Sequence, residues 1–525
     1  MTKHRMKYNI KSSGRFISLM IVLCLLLIPS GCAGSLDETE DDLSFMEQYE
    51  DGASNAEEVP ADVDKTTIRL LFPGYQPRNW NAVKAEIEKR TRKTLNVSVE
   101  FKWKEQFSYI SEIKTLQASN QSFDAFVIAA PDEAGPDFTK LARSGVLKDI
   151  TYIFPESAPS LYKKYSNEEL AYATIDNKLY AVPSLFMIAE SPTIITSDSL
   201  LKKYKIDDIT ELEQYEEFLK KVKENEPTAI PGIDTSTFIA SLPSVYGYAV
   251  TDERTMLVYK RDDPEMRLMA WEKTPEFYDT VSMFIGWFEK GYLKPPMSGE
   301  DYFKASSVLV GGFLAPPSKN AEKMTMSSTV GTTIEIGPVR VLRFYPDKKV
   351  QRSNPMGNYG VNGSFAFPKE SKNTEMVLRF LEWVQLDRDN YNLVVNGIEG
   401  TDYVMNDGKP ELPQGMNALS SSYMYWGGHW AFMNTEYENN ESRARSLMEY
   451  IQSHSEYPPH GVFYPEYGML EQTAVQRAKG LQEFYGRLSQ GQIRTVDHLD
   501  KFISNMEAYG TDELIEAARS QMTKK

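Results

Sequence analysis

The sequence predicts an α/β protein in which a mostly parallel sheet is covered by helices and the chain ends in a helical tail. Strand-like and helix-like segments alternate between Thr67 and Ala130, which is typical of such a sheet. A strand, a turn and a helix follow at Tyr359–Val384, and Glu471–Met522 has helical periodicity. With 525 residues, 41% of them apolar, the chain is long enough for more than one domain.

The spacing of apolar residues predicts the first strands and helices. Thr67–Phe72 is an apolar run that predicts a buried strand, and Val83 and Ile87 lie one turn apart on the helix after it. Asn96–Phe101 alternates as a strand does, and Phe123–Ala130 is a third apolar strand. The helix between these two strands has one apolar face, which consists of Phe107, Ile110, Ile113 and Leu116.

A second block of structure begins near Ile194. Thr210 and Glu213 predict a capping box at the start of an amphipathic helix, and a further helix surrounds Trp287. The helical tail has an apolar face that predicts packing against the body of the protein, formed by Leu499, Phe502, Ile503 and Met506.

The loops at the carboxyl ends of the first and third strands are candidates for ligand binding, because ligands of parallel sheets bind at that edge. Both loops are polar, Pro73–Trp80 and Pro131–Asp137. Asp132 directly follows a buried strand, where its carboxylate can accept hydrogen bonds from vicinal hydroxyls; a solvated loop is the alternative. Trp80 is either a stacking platform or a packing residue at the start of a helix.

The segment Ser421–Met433 concentrates aromatic side chains around two glycines. Exposed rings suit stacking on the apolar faces of sugar rings, and the polar edges of Tyr and Trp can bind hydroxyls. Tyr425, Trp426 and Trp430 are therefore candidate ligand-binding residues. The alternative is an aromatic core in the second block of structure, to which Phe432 is assigned.

The N-terminal residues 1–31 have the organisation of a secretory signal peptide, with basic residues, the apolar run Phe16–Ile28 and then small residues. The stretch before Cys32 is similar to the lipobox of bacterial lipoproteins, although Pro29 stands where an aliphatic residue is usual. The resemblance implies lipidation of Cys32; an ordinary secreted protein with an incidental cysteine is the alternative. Residues 32–65 predict a flexible acidic tether, because twelve carboxylates and no Lys or Arg lie between Ala33 and Asp64.

Charge and motifs exclude several function classes. The net charge of -16 argues against nucleic acid as a partner, since phosphate binding needs a basic surface. No HExxH or GxSxG motif is present, and Cys32 is the only cysteine after the signal peptide. We therefore expect no enzyme activity, no cofactor and no obligatory metal. A glycosidase stays the alternative, because an acidic chain has too many carboxylates for the sequence to identify a catalytic pair.

Several segments in this order resemble the family 1 extracellular solute-binding proteins of ABC importers, in their Gram-positive lipoprotein branch. Leu141–Thr151 is similar to the family's helix-then-loop segment. Ile175–Ile206 is similar to its crossover, with Asn177 where Gly is usual. Asn390–Tyr403 and the helical tail resemble a C-terminal domain of unknown function found on these lipoproteins.

The resemblance implies a two-lobed, type II periplasmic-binding-protein-like fold, each lobe a mostly parallel sheet flanked by helices. Residues 66–186 and 359–403 would form lobe one, and residues 187–358 and 404–525 lobe two. A solute between the lobes would favour the closed state. The resemblance places four further candidate ligand-binding residues at the crossovers, Tyr180, Phe186, Glu190 and Tyr359.

The function that the resemblance implies is capture of a carbohydrate, most simply an oligosaccharide, and its delivery to membrane permease subunits. The protein would be a monomer held by its lipid on the extracellular face of a Gram-positive cell membrane. Peptides and other polyols also stack on aromatic rings, so the class of solute stays open. The alternative function is a surface lipoprotein on the same fold that acts as a sensor or adhesion partner and binds no small ligand.

Overall fold

The structure is a computed structural model that describes residues 65–115, 123–128, 138–297, 301–314, 321–327, 333–352, 363–414, 416, 423, 428–438, 440–461 and 463–522. The strands, in chain order, are β1 Thr66–Pro73, β2 Val97–Lys104, β3 Ala125–Ile128, β4 Thr174–Ile175, β5 Lys178–Leu179, β6 Ala181–Pro183, β7 Glu190–Ser197, β8 Ile233–Asp234, β9 Tyr248–Asp252, β10 Leu257–Lys260, β11 Met269–Ala270, β12 Ser307–Phe313, β13 Glu322–Ser327, β14 Thr333–Arg343, β15 Val350–Gln351, β16 Ser364–Ala366, β17 Val404–Asn406, β18 Lys409–Glu411 and β19 Ser455–Glu456.

The α-helices, in chain order, are α1 Trp80–Thr91, α2 Gln106–Lys114, α3 Phe138–Arg143, α4 Ile153–Ser157, α5 Pro159–Tyr162, α6 Asn167–Ala171, α7 Asp198–Tyr204, α8 Leu212–Asn225, α9 Phe238–Val245, α10 Pro275–Glu289, α11 Asp301–Lys304, α12 Thr374–Gln385, α13 Arg388–Val395, α14 Glu441–His454, α15 Glu471–Ser489, α16 Val496–Ala508 and α17 Thr511–Met522. Short 3₁₀ helices lie at Trp271–Lys273, His429–Phe432 and Gly468–Leu470.

The first sheet has the strand order β2-β1-β3-β16-β6 and confirms the predicted strand–helix alternation. Strands β1, β2 and β3 are parallel, as short βαβ units require, whereas β16 runs antiparallel to its neighbours β3 and β6. Val83 and Ile87 of α1 are buried against this sheet, as their spacing predicts. The carboxyl ends of β1, β2, β3 and β6 therefore lie at one edge of the first sheet.

The second sheet has the order β13-β14-β7-β12-β8, and the prediction that it would be mostly parallel is wrong. Only β12 and β8 are parallel; β7 pairs antiparallel with both β12 and β14, and β13 pairs antiparallel with β14. The physical reason is connectivity, since β13 and β14 follow one another closely along the chain. A smaller sheet, β11-β10-β9, adjoins this part of the protein.

Each large sheet has its own hydrophobic core, which is the arrangement expected of two domains. One assignment needs correction: residues 404–525 were expected in lobe two, but Tyr423, Ala431, Phe432 and Tyr437 are buried in the first core. Phe432 packs there because its ring meets those of Phe365 and Phe72, at centroid distances of 4.8 and 6.0 Å. Phe432 is thus a core residue, but of the first core.

The tail forms α15, α16 and α17, and Leu499 and Met506 are buried in the second core as their spacing predicts. The capping box predicted at Thr210 and Glu213 is absent. Helix α8 starts at Leu212, and the Thr210 hydroxyl and N–H both donate to Gln214 Oε1. Within the described residues, no helix is both long and apolar enough to span a membrane.

Candidate functional site

The two large sheets are joined by chain crossovers that leave the carboxyl edge of the first sheet. The first crossover follows Pro183 at the end of β6 and enters the second sheet at Glu190. Ala189 forms a β-bridge with Arg352, which brings the returning chain beside the outgoing one. Leu185 forms another bridge with Asn434. The crossovers thus lie between the two sheets, at the edge where ligands of such sheets bind.

The loop after β1 presents an exposed aromatic ring at this edge, but it is Tyr75 and not Trp80. Tyr75 is 74% exposed and follows Gly74, whose φ of 106° turns the chain out of β1. Trp80 is only 4% exposed and stacks on Phe101 with a centroid distance of 4.5 Å. Trp80 therefore packs the start of α1 against the sheet, the second of its two predicted roles.

Trp430 lies beside the carboxyl end of β3. A Cβ placed on Gly363, the residue before β16, would meet Val127 Cγ1 at 2.5 Å and Trp430 Nε1 at 2.8 Å. The indole N–H is buried and has no hydrogen-bond partner, which costs free energy unless a ligand or water supplies an acceptor. Of the predicted aromatic residues within the described part of the chain, Trp430 is the one placed at the ligand edge with an unused donor.

The three candidate ligand-binding residues of the first crossover lie in different positions. Tyr180 precedes β6, at the end opposite the carboxyl edge, and its ring packs against the first core. Phe186 is half-buried within the crossover itself. Glu190 is the first residue of β7 and pairs with Phe313 of β12, so it stands at the entry to the second sheet.

Five of the predicted site residues lie outside the described residues. They are Cys32, Asp132, Tyr359, Tyr425 and Trp426. The signal peptide and nearly all of the acidic tether lie outside as well. These residues keep the roles that the sequence predicts for them, as predictions.

Glu253, in the turn after β9, was not predicted from the sequence, and its carboxyl interacts electrostatically with that of Glu190. Burial raises the pKa of Glu190 to about 7; burial and then the charges of Glu190 and Asp252 raise the pKa of Glu253 to about 8. Glu253 is exposed to solvent, so water screens part of this effect on its pKa. The two carboxyls titrate as an interacting pair.

A group of tyrosines and an arginine borders the same region. The Tyr464 hydroxyl donates to the carbonyl oxygen of Tyr172 at 2.8 Å, and the Arg352 guanidinium lies 4.8 Å from the centroid of the Tyr457 ring. Burial raises the pKa of Tyr172, and the charges of Tyr464 and then Glu253 add to the rise. These residues come from distant parts of the chain, so no local sequence signal could have grouped them.

Carboxyl, tyrosine hydroxyl and indole groups near the crossovers can exchange hydrogen bonds with a polyhydroxylated ligand. A groove of about 180 Å³ adjoins the tyrosines and is lined by Tyr172, Tyr457, Asn167, Glu168, Ala171, Pro458 and Gly461. Among the described residues, no three His, Cys, Asp or Glu side chains lie close enough together to hold a metal ion.

Comparison with known proteins identifies relatives that span most of the chain. No protein-family model matches it. The chain is 21% identical over 471 residues to a carbohydrate ABC transporter substrate-binding protein of Streptococcus pneumoniae, covering 88% of this chain and 91% of the relative.

Solved structures share the fold. The N-glycan transport solute binding protein NgtS of Streptococcus pneumoniae aligns with a TM-score of 0.66 at 15% identity, over 88% of this chain and 99% of that one. The ABC-transporter substrate binding protein FusA of the same species, in complex with kestose, aligns with a TM-score of 0.56 at 13% identity, over 87% and 99%. The resemblance found in the sequence is confirmed: the chain is similar over most of its length to the solute-binding proteins of ABC importers and has their two-domain α/β fold.

Proposed function

We propose that this protein is the extracellular solute-binding component of an ABC importer and that its solute is a carbohydrate. The observation that carries the proposal is the pair of crossovers through Ala189 and Arg352, which joins two sheets at the ligand edge of the first. The curated relative named a carbohydrate substrate-binding protein supports the solute class. On this proposal the chain has no catalytic activity; it captures the solute and hands it to permease subunits.

An oligosaccharide suits the groups that border the cleft better than a single sugar does. Tyr75 and Trp430 lie at the carboxyl edge of the first sheet, whereas Glu190 and Glu253 approach from the second sheet and its neighbour. Aromatic faces stack on sugar rings, and carboxyl oxygens accept hydrogen bonds from sugar hydroxyls. A ligand that contacts both sides would stabilise the closed arrangement.

The proposal includes lipid attachment at Cys32 and a monomer held on the outer face of the cell membrane. The acidic residues 32–65 would then act as the spacer between membrane and folded body. The lobe boundaries at 66–186 with 359–403, and 187–358 with 404–525, are kept in this proposal with one change, namely that residues 428–437 pack with lobe one.

The test is thermal unfolding of the protein with a panel of saccharides, amino acids and short peptides. The panel includes Man5GlcNAc and kestose, the saccharides in complexes of two structural relatives. A ligand at a hundred times its dissociation constant should stabilise the folded state by about 2.7 kcal/mol. A shift confined to one class of saccharide supports the proposal, and a panel without any shift at millimolar concentration contradicts it.

Two tryptophan variants separate binding from packing in the same assay. We expect Trp430→Phe, which removes the unpaired indole N–H, to weaken saccharide binding by about tenfold. The control is Trp80→Phe, which should lower the unfolding temperature without changing the dissociation constant, because Trp80 is packed against Phe101. Equal saccharide affinity in Trp430→Phe and the unchanged protein would remove Trp430 from the site.

A further inference from the structure

The turn between β9 and β10, Asp252–Met256, carries Glu253 beside the crossovers. Strand β9 is fixed to the returning crossover by two hydrogen bonds: Val250 N–H donates to Gln351 Oε1 at 2.8 Å, and Gln351 Nε2 donates to the Val250 carbonyl at 3.2 Å. Gln351 immediately precedes Arg352, the residue bridged to Ala189. The turn therefore begins two residues beyond the point where β9 meets the crossover.

The C-terminal part of the chain contacts this turn at two of its residues, Asp252 and Thr255. The Tyr467 hydroxyl donates to Asp252 Oδ2 at 2.9 Å and lies 3.1 Å from Thr255 Oγ1. Arg477 Nε donates to the carbonyl oxygen of Thr255 at 2.7 Å. Tyr467 is buried, in a small apolar cluster with Leu257 of β10 and residues of α17.

The same part of the chain also contacts the first core. One carboxylate oxygen of Glu471, Oε1, accepts a hydrogen bond from Arg254 Nη1 at 3.0 Å and from Lys140 Nζ of α3 at 3.2 Å. Helix α3 belongs to the first core through Phe138. The turn is thus tied both to the C-terminal segment and, through Glu471, to α3 of the first core.

We propose that Tyr467 is a positioning residue of the solute site, because it fixes the turn that carries Glu253 beside the crossovers. This inference rests on the proposed function. The physical reason is that the Asp252 carboxylate, next to Glu253, accepts hydrogen bonds from the hydroxyls of Tyr467 and Thr255. Losing the bond from Tyr467 loosens the start of the turn. The hydrogen bond from Tyr467 to Asp252 thus keeps Glu253 in place for a ligand.

The experiment compares Tyr467→Phe with Tyr204→Phe in the full chain. Tyr204 is the matched control because its hydroxyl also has two partners, Glu226 Oε1 at 2.7 Å and the Lys221 carbonyl at 3.3 Å, but it belongs to α7 and lies on the second core. Two quantities are measured: the amide hydrogen exchange of residues 253–256 without ligand, and the affinity for Man5GlcNAc and kestose.

We expect faster exchange in the turn and about tenfold weaker saccharide binding in Tyr467→Phe, and neither change in Tyr204→Phe. Combining Tyr467→Phe with Glu253→Gln should cost less affinity than the sum of the two single changes, because both act through Glu253. A purely structural role would lower stability without this non-additivity.

Unchanged turn exchange, unchanged affinity in Tyr467→Phe, or additive effects in the double variant would each overturn the proposal. An unchanged protein that binds no saccharide would instead overturn the proposed function, and this inference with it. The two failures are distinguishable, because only the first leaves saccharide binding to the unchanged protein intact.

Discussion

Arg477 of α15 and Glu272 form an ion pair in which both side chains are completely buried. Arg477 Nη1 and Nη2 donate to Glu272 Oε1 and Oε2 at 2.7 and 2.8 Å. Arg477 also donates hydrogen bonds to the Thr511 hydroxyl of α17 and to the Thr255 carbonyl oxygen. Arg477 therefore connects the C-terminal helices both to Glu272 and to the turn Asp252–Met256.

Removing one charge of this pair should destabilise the protein strongly. Glu272→Gln leaves the guanidinium of Arg477 buried without its counter-charge, which typically costs about 3–5 kcal/mol of unfolding free energy. Chemical denaturation followed by tryptophan fluorescence measures the change. The matched control is Glu483→Gln, since Glu483 pairs with Arg487 at 3.9 Å on an exposed surface and should contribute little. A Glu272→Gln variant as stable as this control would contradict the prediction.

Asp234 should make stability decrease as the pH rises towards neutral. The side chain is 1% exposed, and its oxygens lack hydrogen bonds of normal geometry. Burial raises its pKa from 3.8 to about 7, although the Ser236 and Thr235 backbone N–H groups partly oppose the rise. Between these values only the folded state holds the proton, so unfolding becomes easier with each increase in pH and levels off above about 7.

Asp234→Asn isolates this effect, because the amide does not titrate. Relative to the unchanged protein, the variant should gain stability on the order of 3 kcal/mol between pH 5 and pH 8. Urea denaturation at the two pH values measures the gain, and the exposed Asp279→Asn serves as the control. The same stability difference at both pH values would show that Asp234 does not carry a raised pKa.

Gly428 should tolerate no side chain, because it combines a positive φ with close contact to the first core. Its φ is 84°, and an added Cβ would lie 2.6 Å from Phe72 Cδ1. We expect Gly428→Ala to cost about 2–4 kcal/mol, from backbone strain and overpacking together.

Gly145→Ala is the matched control for Gly428→Ala. Gly145 has a similar φ of 74° with nothing within 4 Å of the added Cβ, so it should cost only about 1 kcal/mol. Thermal unfolding of both variants provides the comparison. If both variants lost the same unfolding free energy, the contact with Phe72 would not be a cause of the destabilisation.

The strands and helices of the first sheet could be predicted from the sequence because their signals are local. The alternation in β2 and the one-turn spacing of Val83 and Ile87 depend only on neighbouring residues. The direction of β7 against β12 and β14 could not be predicted in this way, because strand pairing is decided by segments far apart in the chain. Thr210 likewise has the right spacing for a cap, but its hydroxyl bonds Gln214 instead.

The same distinction between local signals and long-range contacts applies to the candidate site. The sequence predicts that the loop after β1 lies at the ligand edge. It does not distinguish between a stacking platform and a packing residue for Trp80. The structure decides for packing, because the Trp80 ring stacks on Phe101. Glu190 was predicted from the crossover, whereas its partner Glu253 was not, because they lie 63 positions apart. Nothing in the local pattern around Glu253 distinguishes it from other acidic residues on the surface.

The sequence by itself determined the α/β class, the strand–helix order of the first sheet and the helical tail, since each follows from the periodicity of apolar side chains along a short segment. Only the tertiary structure decided that Phe432 belongs to the first core, that Tyr75 and not Trp80 is exposed, and that Tyr467 supports the turn of Glu253. These are contacts between distant residues, and burial and hydrogen bonding become defined only when the chain has brought them together.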